Sequence, residues 1–358
     1  MQKHVKERVA MDQNIWTRYS RQMLFAPIGR GGQEKLLKSR VAIVGLGALG
    51  TVSANHLTRA GVGYLRLIDR DFVEMSNLQR QMLFDEDDAR ALRPKAVAAR
   101  EKLAAINSEI ELEAVIADLS PENAEALLGD VDLIIDGTDN FYVRFLINDV
   151  SVKRGIPWVH GAVIKSRGMH AFFHPPHTPC YRCLFPEPPA SQGETCDTVG
   201  VIAPIVDIIA SLEATAALKY LVQDEAHLPH TLIDIDVWAL TWGQIDIRQA
   251  KNPACPACGD RHFEFLEGQA GAPFSAPLVS MVCGRNAIQV RPRHAKQVSL
   301  EEIASRWQSI GKVRQNEYLL RLEIDEIILT LFQDGRLLVQ GVDSAERAMR
   351  FYEQYVGL

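Results

Sequence analysis

Residues 40–45 run Arg-Val-Ala-Ile-Val-Gly, an apolar, β-branched stretch closed by glycine. Such runs bury both faces and predict a strand inside a parallel sheet. Similar runs predict strands at Tyr64–Asp69, Glu111–Ile116 and Val131–Asp136, and one beginning at Pro157–Gly161. Between them the apolar positions recur at helical spacing. Helices are expected at Ala48–Ala60, Lys95–Ile106, Pro121–Leu128 and Arg144–Arg154, after a helical lead-in over 12–39 with a turn at Gly29–Gly32. Strands alternating with helices of this length predict a Rossmann-like, doubly wound α/β sheet with right-handed crossovers.

The pattern changes after Gly161. Gly168–His174 and Thr231–Arg248 alternate like strands of a mixed sheet and flank the long apolar run Val201–Val222. Residues 185–199, rich in Pro, Gly and polar residues, are expected to be a loop. Residues 263–277 have linker composition. From Leu278 a second unit is expected: a strand pair reaching Val290, a helix over 299–309, strands over 318–324 and 327–332, a hairpin turn at Asp334–Gly335 and a helix over Ser344–Tyr355. The expected organisation is therefore an N-terminal extension (1–14), an α/β unit (15–262), a linker (263–277) and a small α+β domain (278–358).

Composition narrows the class. Hydrophobic residues make up 47% and charged residues 23% of the 358, as in an ordinary globular enzyme. The net charge of −6 speaks against a nucleic-acid partner, which calls for a basic surface. The Val201–Val222 run could span a bilayer by length, but it carries Pro204, Asp207, Glu213 and Lys219. Charges at membrane depth are costly, so it reads as a buried helix of a cytoplasmic protein without a membrane segment.

Gly45-Leu46-Gly47-Ala48-Leu49-Gly50 follows a predicted strand and opens a predicted helix. Glycines there permit a tight turn and bring phosphate against the backbone N–H groups of a helix N-terminus. Asp69, at the end of the next strand, can accept hydrogen bonds from a ribose. These features suit NAD and ATP equally. Asn77-Leu78-Gln79-Arg80-Gln81 shifts the balance, since three amides and an arginine suit a triphosphate better than a hydride carrier. Arg80 can donate bidentate bonds to phosphate, and Lys95 offers a second cation. The alternative for both is a solvated surface charge. Gly137-Thr138-Asp139-Asn140 follows another strand, so Asp139 can coordinate Mg²⁺; the plainer reading is an Asx turn of this loop that caps the next helix, and both can hold.

Cys180-Tyr-Arg-Cys183 and Cys255-Pro-Ala-Cys258 are two Cys-x-x-Cys pairs. Four thiolates complete a closed tetrahedral Zn²⁺ site with no open coordination position. His170, His174 and His177 lie near the first pair and are expected to be strand and loop polar residues. Cys283 reads as a buried core thiol. Arg285, Arg291, Arg293 and Lys296 form a small basic cluster, either a solvated face or a docking surface for an acidic protein.

Arg18-Tyr19-Ser20-Arg21-Gln22, followed by GLGALG, LIDRD, NLQRQ, RPK and GTDN, resembles the MoeB/ThiF adenylyltransferases over roughly residues 15–262. The resemblance implies ATP-dependent adenylylation of the C-terminal glycine carboxylate of a ubiquitin-like sulfur-carrier protein ending in Gly-Gly. Thiocarboxylate formation for molybdopterin or thiamine would follow, with a sulfurtransferase or cysteine desulfurase as a further partner. It implies that Asp69 holds the ribose, that Asn77, Arg80 and Lys95 hold phosphates, and that Asp139 serves Mg²⁺. It implies that Arg21 reaches the triphosphate of the neighbouring subunit of a homodimer, and that Cys196 attacks the acyl adenylate or takes part in sulfur transfer, the alternative being a spectator thiol. It also assigns Cys180, Cys183, Cys255 and Cys258 to zinc. The rivals are adenylylation of another peptide or of a tRNA-linked substrate, and an NAD-dependent oxidoreductase.

Overall fold

The structure is a computed structural model that describes residues 16–189, 196–268, 279–282, 287–291 and 297–357. Its first sheet has eight strands in the order β3-β2-β1-β4-β5-β6-β7-β8. They are β1 (Arg40–Val44), β2 (Tyr64–Ile68), β3 (Glu111–Val115), β4 (Leu133–Asp136), β5 (Trp158–Ile164), β6 (Arg167–Phe173), β7 (Thr231–Asp236) and β8 (Thr241–Asp246). Strands β1 to β5 pair in parallel, and β5 to β8 pair antiparallel. The sheet is thus doubly wound in its first half and mixed in its second, as the sequence predicts.

Alternate residues of each central strand feed two cores. Val41, Ile43, Leu65, Leu67, Leu133 and Ile135 face one way, while Ala42, Val44, Ile68 and Ile134 face the other. Helices cover both faces: α1 (Gly29–Leu36), α2 (Ala48–Ala60), α3 (Lys95–Ile106), α4 (Phe141–Arg154) and α5 (Ala203–Leu221). The apolar run from Val201 is α5, a buried helix that lays Ile205, Val206, Ile209 and Ala210 against the glycine-loop helix α2. Among the described residues no helix is long and apolar enough to cross a membrane.

Several local expectations change. The expected turn at Gly29–Gly32 is the first helical turn of α1; a Cβ on Gly32 would stand 3.2 Å from Val222, so the glycine serves close packing. Helix α4 begins at Phe141 and not Arg144, because the Asn140 side chain accepts the N–H groups of Tyr142 and Val143. Thr231–Arg248 is a hairpin, and the 185–199 stretch ends in a short helix, Cys196–Val199. Phe263, Phe265 and Leu266 lie inside the stretch expected as a linker, yet they are core. The Phe265 ring stacks on Phe145 at 4.7 Å, and Asp149 Oδ2 accepts the N–H groups of Phe265 and Leu266.

The C-terminal unit is a six-stranded antiparallel sheet in the order β11-β12-β13-β14-β10-β9. Its strands are β9 (Val279–Val282), β10 (Ala287–Val290), β11 (Lys312–Gln315), β12 (Leu319–Ile324), β13 (Ile327–Phe332) and β14 (Leu337–Gln340). Helices α6 (Leu300–Trp307) and α7 (Ala345–Tyr355) pack their apolar faces on it. Cys283, Arg285, Arg293 and Lys296 lie outside the described residues.

Candidate functional site

Strand order reverses between β1 and β4, and the loops after these two strands face each other at that reversal. Crevices of this kind bind ligands in open α/β sheets. Gly45 has φ +87°, and a Cβ there would lie 2.8 Å from the Gly137 carbonyl oxygen. A Cβ on Gly137 would in turn meet Gly45 O at 2.4 Å, so the two loops touch through backbone alone. Gly50 is equally constrained, its Cβ position lying 1.9 Å from Gly45 O. Gly47 differs. A Cβ there would meet only ordinary contacts, Gly137 O at 3.8 Å and Gln81 Nε2 at 4.0 Å, so sterics do not demand this glycine.

Asp69 lies at the mouth of β2 and is buried. Its Oδ2 accepts the N–H of Leu46 at 2.7 Å and its Oδ1 that of Asp71 at 2.7 Å. The carboxylate therefore braces the glycine loop from below. Burial raises its pKa, and the charge of Lys95 opposes that rise. Lys95 is not the solvated charge that one sequence reading allowed: it is 5% exposed, with Nζ 3.5 Å from Asp71 Oδ2. Arg80 is partly exposed and donates to Ser76 O at 3.1 Å. Asn77 is buried, and its Oδ1 closes a capping box on the N–H of Glu74.

Asp139 is exposed between Thr138 and Asn140. The helix cap that the sequence expected from this loop is supplied by Asn140. The base of this loop is a buried polar network. Asp136 Oδ2 takes Arg144 Nε at 3.0 Å and His160 Nδ1 at 2.8 Å, and Oδ1 takes Thr138 N and Oγ1. Burial would raise Asp136, but Arg144 and His160 outweigh it and hold the carboxyl below its ordinary range. Burial lowers His160, which is therefore neutral and carries its proton on Nδ1 towards the carboxylate. Arg144 also donates to Thr138 O at 2.7 Å, so the loop before Asp139 is fixed from beneath. Glu213 sits nearby, fully buried; burial and then the Asp136 charge push its pKa well up.

Sequence reasoning missed two parts of this arrangement. Asp136, Arg144 and His160 act together, and the available signal was a lone acid ending an apolar strand. Gln81 is 4% exposed beside Gly47, with its Oε1 buried and unpartnered. It stood inside the NLQRQ motif but received no role. An unsatisfied buried acceptor of this kind calls for a donor from a ligand or water.

The two Cys-x-x-Cys pairs, 75 residues apart, converge. Cys180 Sγ lies 3.8 Å from Cys183 and 3.6 Å from Cys255, and Cys183 Sγ lies 3.4 Å from Cys258. All four sulfurs fall within 4.8 Å of one another, the spacing of a metal-ligand set. Hydrogen bonding to Cys183 pushes Cys180 up, while the same contact lowers Cys183 to about 5. Four thiolates can coexist here only around a cation. His170 is buried and pushed down to about 3 by desolvation, which leaves it neutral and apart from this set. Cys196 begins the Cys196–Val199 helix, and Arg21 is exposed on a helical turn, Ser20–Met23.

Residues 19–257 match the ThiF family. The sulfur carrier protein ThiS adenylyltransferase of Bacillus subtilis is 41% identical over 343 residues, covering 95% of this chain and 99% of its own length. The sulfur carrier protein adenylyltransferase of Thermus thermophilus is 39% identical over 249 residues, covering 68% of this chain and 90% of its own. Among solved structures, E. coli MccB with ATP superposes with a TM-score of 0.60 at 23% identity, over 68% of this chain and 74% of that one.

Proposed function

Because the chain belongs to the ThiF family, we propose that it transfers the adenylyl group of ATP to the C-terminal glycine carboxylate of a ubiquitin-like sulfur-carrier protein. The observation that carries this reading is one continuous rim at the sheet reversal. Gly137 touches Gly45, Leu46 hangs on Asp69, and Asp71 pairs with Lys95.

A carboxylate oxygen of the carrier attacks the α-phosphorus, and the bond from that phosphorus to the bridging oxygen breaks, so pyrophosphate leaves with the electron pair. Two anions must meet, so rate comes from neutralising charge and aligning the attack. In this reading the glycine-loop N–H groups take phosphate oxygens. Asp69 faces the ribose, Asn77 lines the pocket, and Arg80 and Lys95 neutralise the triphosphate. Gln81 fills its vacant acceptor from the nucleotide or its hydration shell. Asp139 would supply a carboxylate for Mg²⁺, which would neutralise phosphate charge there. Hydride transfer from NAD needs none of these cations.

Cys180, Cys183, Cys255 and Cys258 would hold Zn²⁺ in a closed tetra-thiolate site, which supplies folding energy rather than chemistry. The exposed residues around Arg21 support a homodimer: Leu24 is 75% and Phe25 62% exposed beside it. A second copy would cover them and bring Arg21 to its neighbour's triphosphate. The carrier has its own apolar landing strip, because edge strand β8 and its turn expose Trp238, Leu240, Trp242 and Ile245. Cys196 is assigned to the later sulfur-transfer step, in which a sulfurtransferase or cysteine desulfurase supplies the sulfur. The match that spans 95% of this chain favours a ThiS-type carrier and thiamine over molybdopterin synthesis.

The test is ATP–pyrophosphate isotope exchange with Mg²⁺ and purified ThiS-type and MoaD-type carriers. Exchange that needs the ThiS-type carrier and stops when its last glycine is removed is the expected result. Measurable ATP binding with no exchange on any carrier would defeat the substrate assignment.

A further inference from the structure

The C-terminal sheet buries both of its faces, and each face has a different cover. Leu320, Leu322, Leu329, Leu331, Leu337 and Val339 point to the side packed by α6 and α7. The alternate residues Ala287, Leu319, Phe332 and Leu338 point the other way and form one apolar cluster with Phe72 and Leu92 of the catalytic unit. The Phe72 and Phe332 rings lie 6.3 Å apart. Phe72 is fully buried by this contact, and it follows Asp71 directly in the chain.

The segment it belongs to carries the nucleotide-site cation. Lys95 N–H donates to Asp71 O at 2.8 Å and Val73 N–H to Arg93 O at 2.8 Å, so residues 71–73 and 93–95 form a short antiparallel ribbon. Side chains alternate along an extended ribbon. Phe72 therefore faces the C-terminal sheet, while its neighbour Asp71 turns to Lys95.

A second contact fixes the approach to that ribbon. Asn316 Nδ2 donates to Ala91 O at 2.9 Å and to Leu92 O at 3.0 Å. Its Oδ1 accepts the N–H groups of Tyr318 and Leu319, both at 2.9 Å, so the amide is held in one orientation. Leu92 has φ +51°, a conformation that leucine adopts only when its surroundings impose it. The clamp thus sits three residues before Lys95, on a strained residue. A third contact lies behind Asp71, where Arg291 and Arg70 share the carboxylate of Asp118.

We propose that the C-terminal domain is a positioning element for the nucleotide site: Asn316 and Phe332 hold the Leu92–Lys95 segment so that Lys95 and Asp71 present a preset charge pair to the triphosphate. This rests on the ATP reading above. Of the basic cluster that the sequence offered as a docking surface, Arg291 alone is among the described residues, and it is turned into the domain junction.

Asn316→Asp in the full-length protein tests it. The aspartate keeps an acceptor for Tyr318 and Leu319, so the local turn survives, but it has no donor for Ala91 and Leu92. Losing one clamp of this kind should weaken ATP binding by roughly fivefold in calorimetry, with carrier binding unchanged. In the ligand-free protein, hydrogen exchange should quicken in peptides covering residues 70–73 and 92–97, while those of α6 and α7 stay protected. Arg350→Ala, exposed on α7, should match wild type in both measurements. Unchanged ATP affinity with unchanged exchange at 92–97 would overturn the proposal. Wild-type protein that binds no ATP would instead defeat the nucleotide reading, and the exchange measurement would still decide whether Asn316 holds the Lys95 segment.

Discussion

Arg144 Nε lies 3.0 Å from Asp136 Oδ2, and both side chains are buried beneath the loop that presents Asp139. The pair is not isolated: Arg144 also holds Thr138 O at 2.7 Å, so the ion pair and the loop backbone form one unit. Taking two charges out of water is costly, and such a pair stabilises little against an apolar replacement. Removing one partner is another matter.

Arg144→Ala leaves Asp136 as an uncompensated buried charge. Breaking a buried pair in this way costs about 3–5 kcal/mol of folding free energy. Urea denaturation of the two proteins would measure it. A loss under about 1 kcal/mol would mean that His160 and Thr138 alone satisfy Asp136.

Lys95 is buried, so its role separates from that of a surface cation. Lys95→Met keeps the side-chain length and removes the charge. If the ammonium neutralises phosphate in the transition state, carrier-dependent exchange should fall by about 10²–10³. Arg80 is partly exposed, and Arg80→Ala should fall within the same range or below it. Exchange within twofold of wild type in Lys95→Met would return that lysine to a structural pairing with Asp71.

The parallel sheet, the glycine loop and the cysteine pairs were legible in the sequence because each is a local pattern. Val41 to Val44 is an apolar run, GLGALG is contiguous, and each Cys-x-x-Cys pair fits within four residues. Burial was not legible. Lys95 reads like any helix-start lysine until the fold buries it beside Asp71. Asn316 and Phe332 give no signal at all, since their partners Leu92 and Phe72 lie more than 220 residues away in the chain. The composition of 263–277 misled in its first residues, because Phe263 and Phe265 are core only through Asp149 and Phe145 on a distant helix.

Asp149 is the group whose titration should be visible in stability. Burial raises its pKa from 3.8 to about 7, against two backbone N–H donors that pull it down. A carboxyl with a raised native pKa contributes stability that is fully present below its unfolded value and is lost as pH rises through the native one. Wild-type stability should therefore carry a downward component between about pH 4 and pH 7 that Asp149→Asn lacks, since an amide oxygen can still accept from Phe265 and Leu266. Denaturation midpoints for both proteins across that range would show it, and parallel pH profiles would rule it out.

Substitution can separate the roles proposed for the paired cysteines and for Cys196. Cys258→Ser removes one of four converging thiolates, so metal content should drop from one zinc per chain and thermal stability with it. Exchange activity should fall as well, because Tyr181, which follows Cys180, packs edge-on at 5.2 Å against His160, the partner of Asp136 under the Asp139 loop. The knuckle and the loop are thus connected through two side chains. Cys196→Ala should do the opposite. It should retain zinc, stability and ATP–pyrophosphate exchange within about twofold, because a thiol that attacks the acyl adenylate acts after pyrophosphate has left. Its loss should appear only in thiocarboxylate formation on the carrier, read by mass spectrometry as replacement of oxygen by sulfur at the terminal glycine. Full thiocarboxylate yield in Cys196→Ala would assign that cysteine to no step. Full exchange activity in zinc-free Cys258→Ser would sever the knuckle from the Asp139 loop.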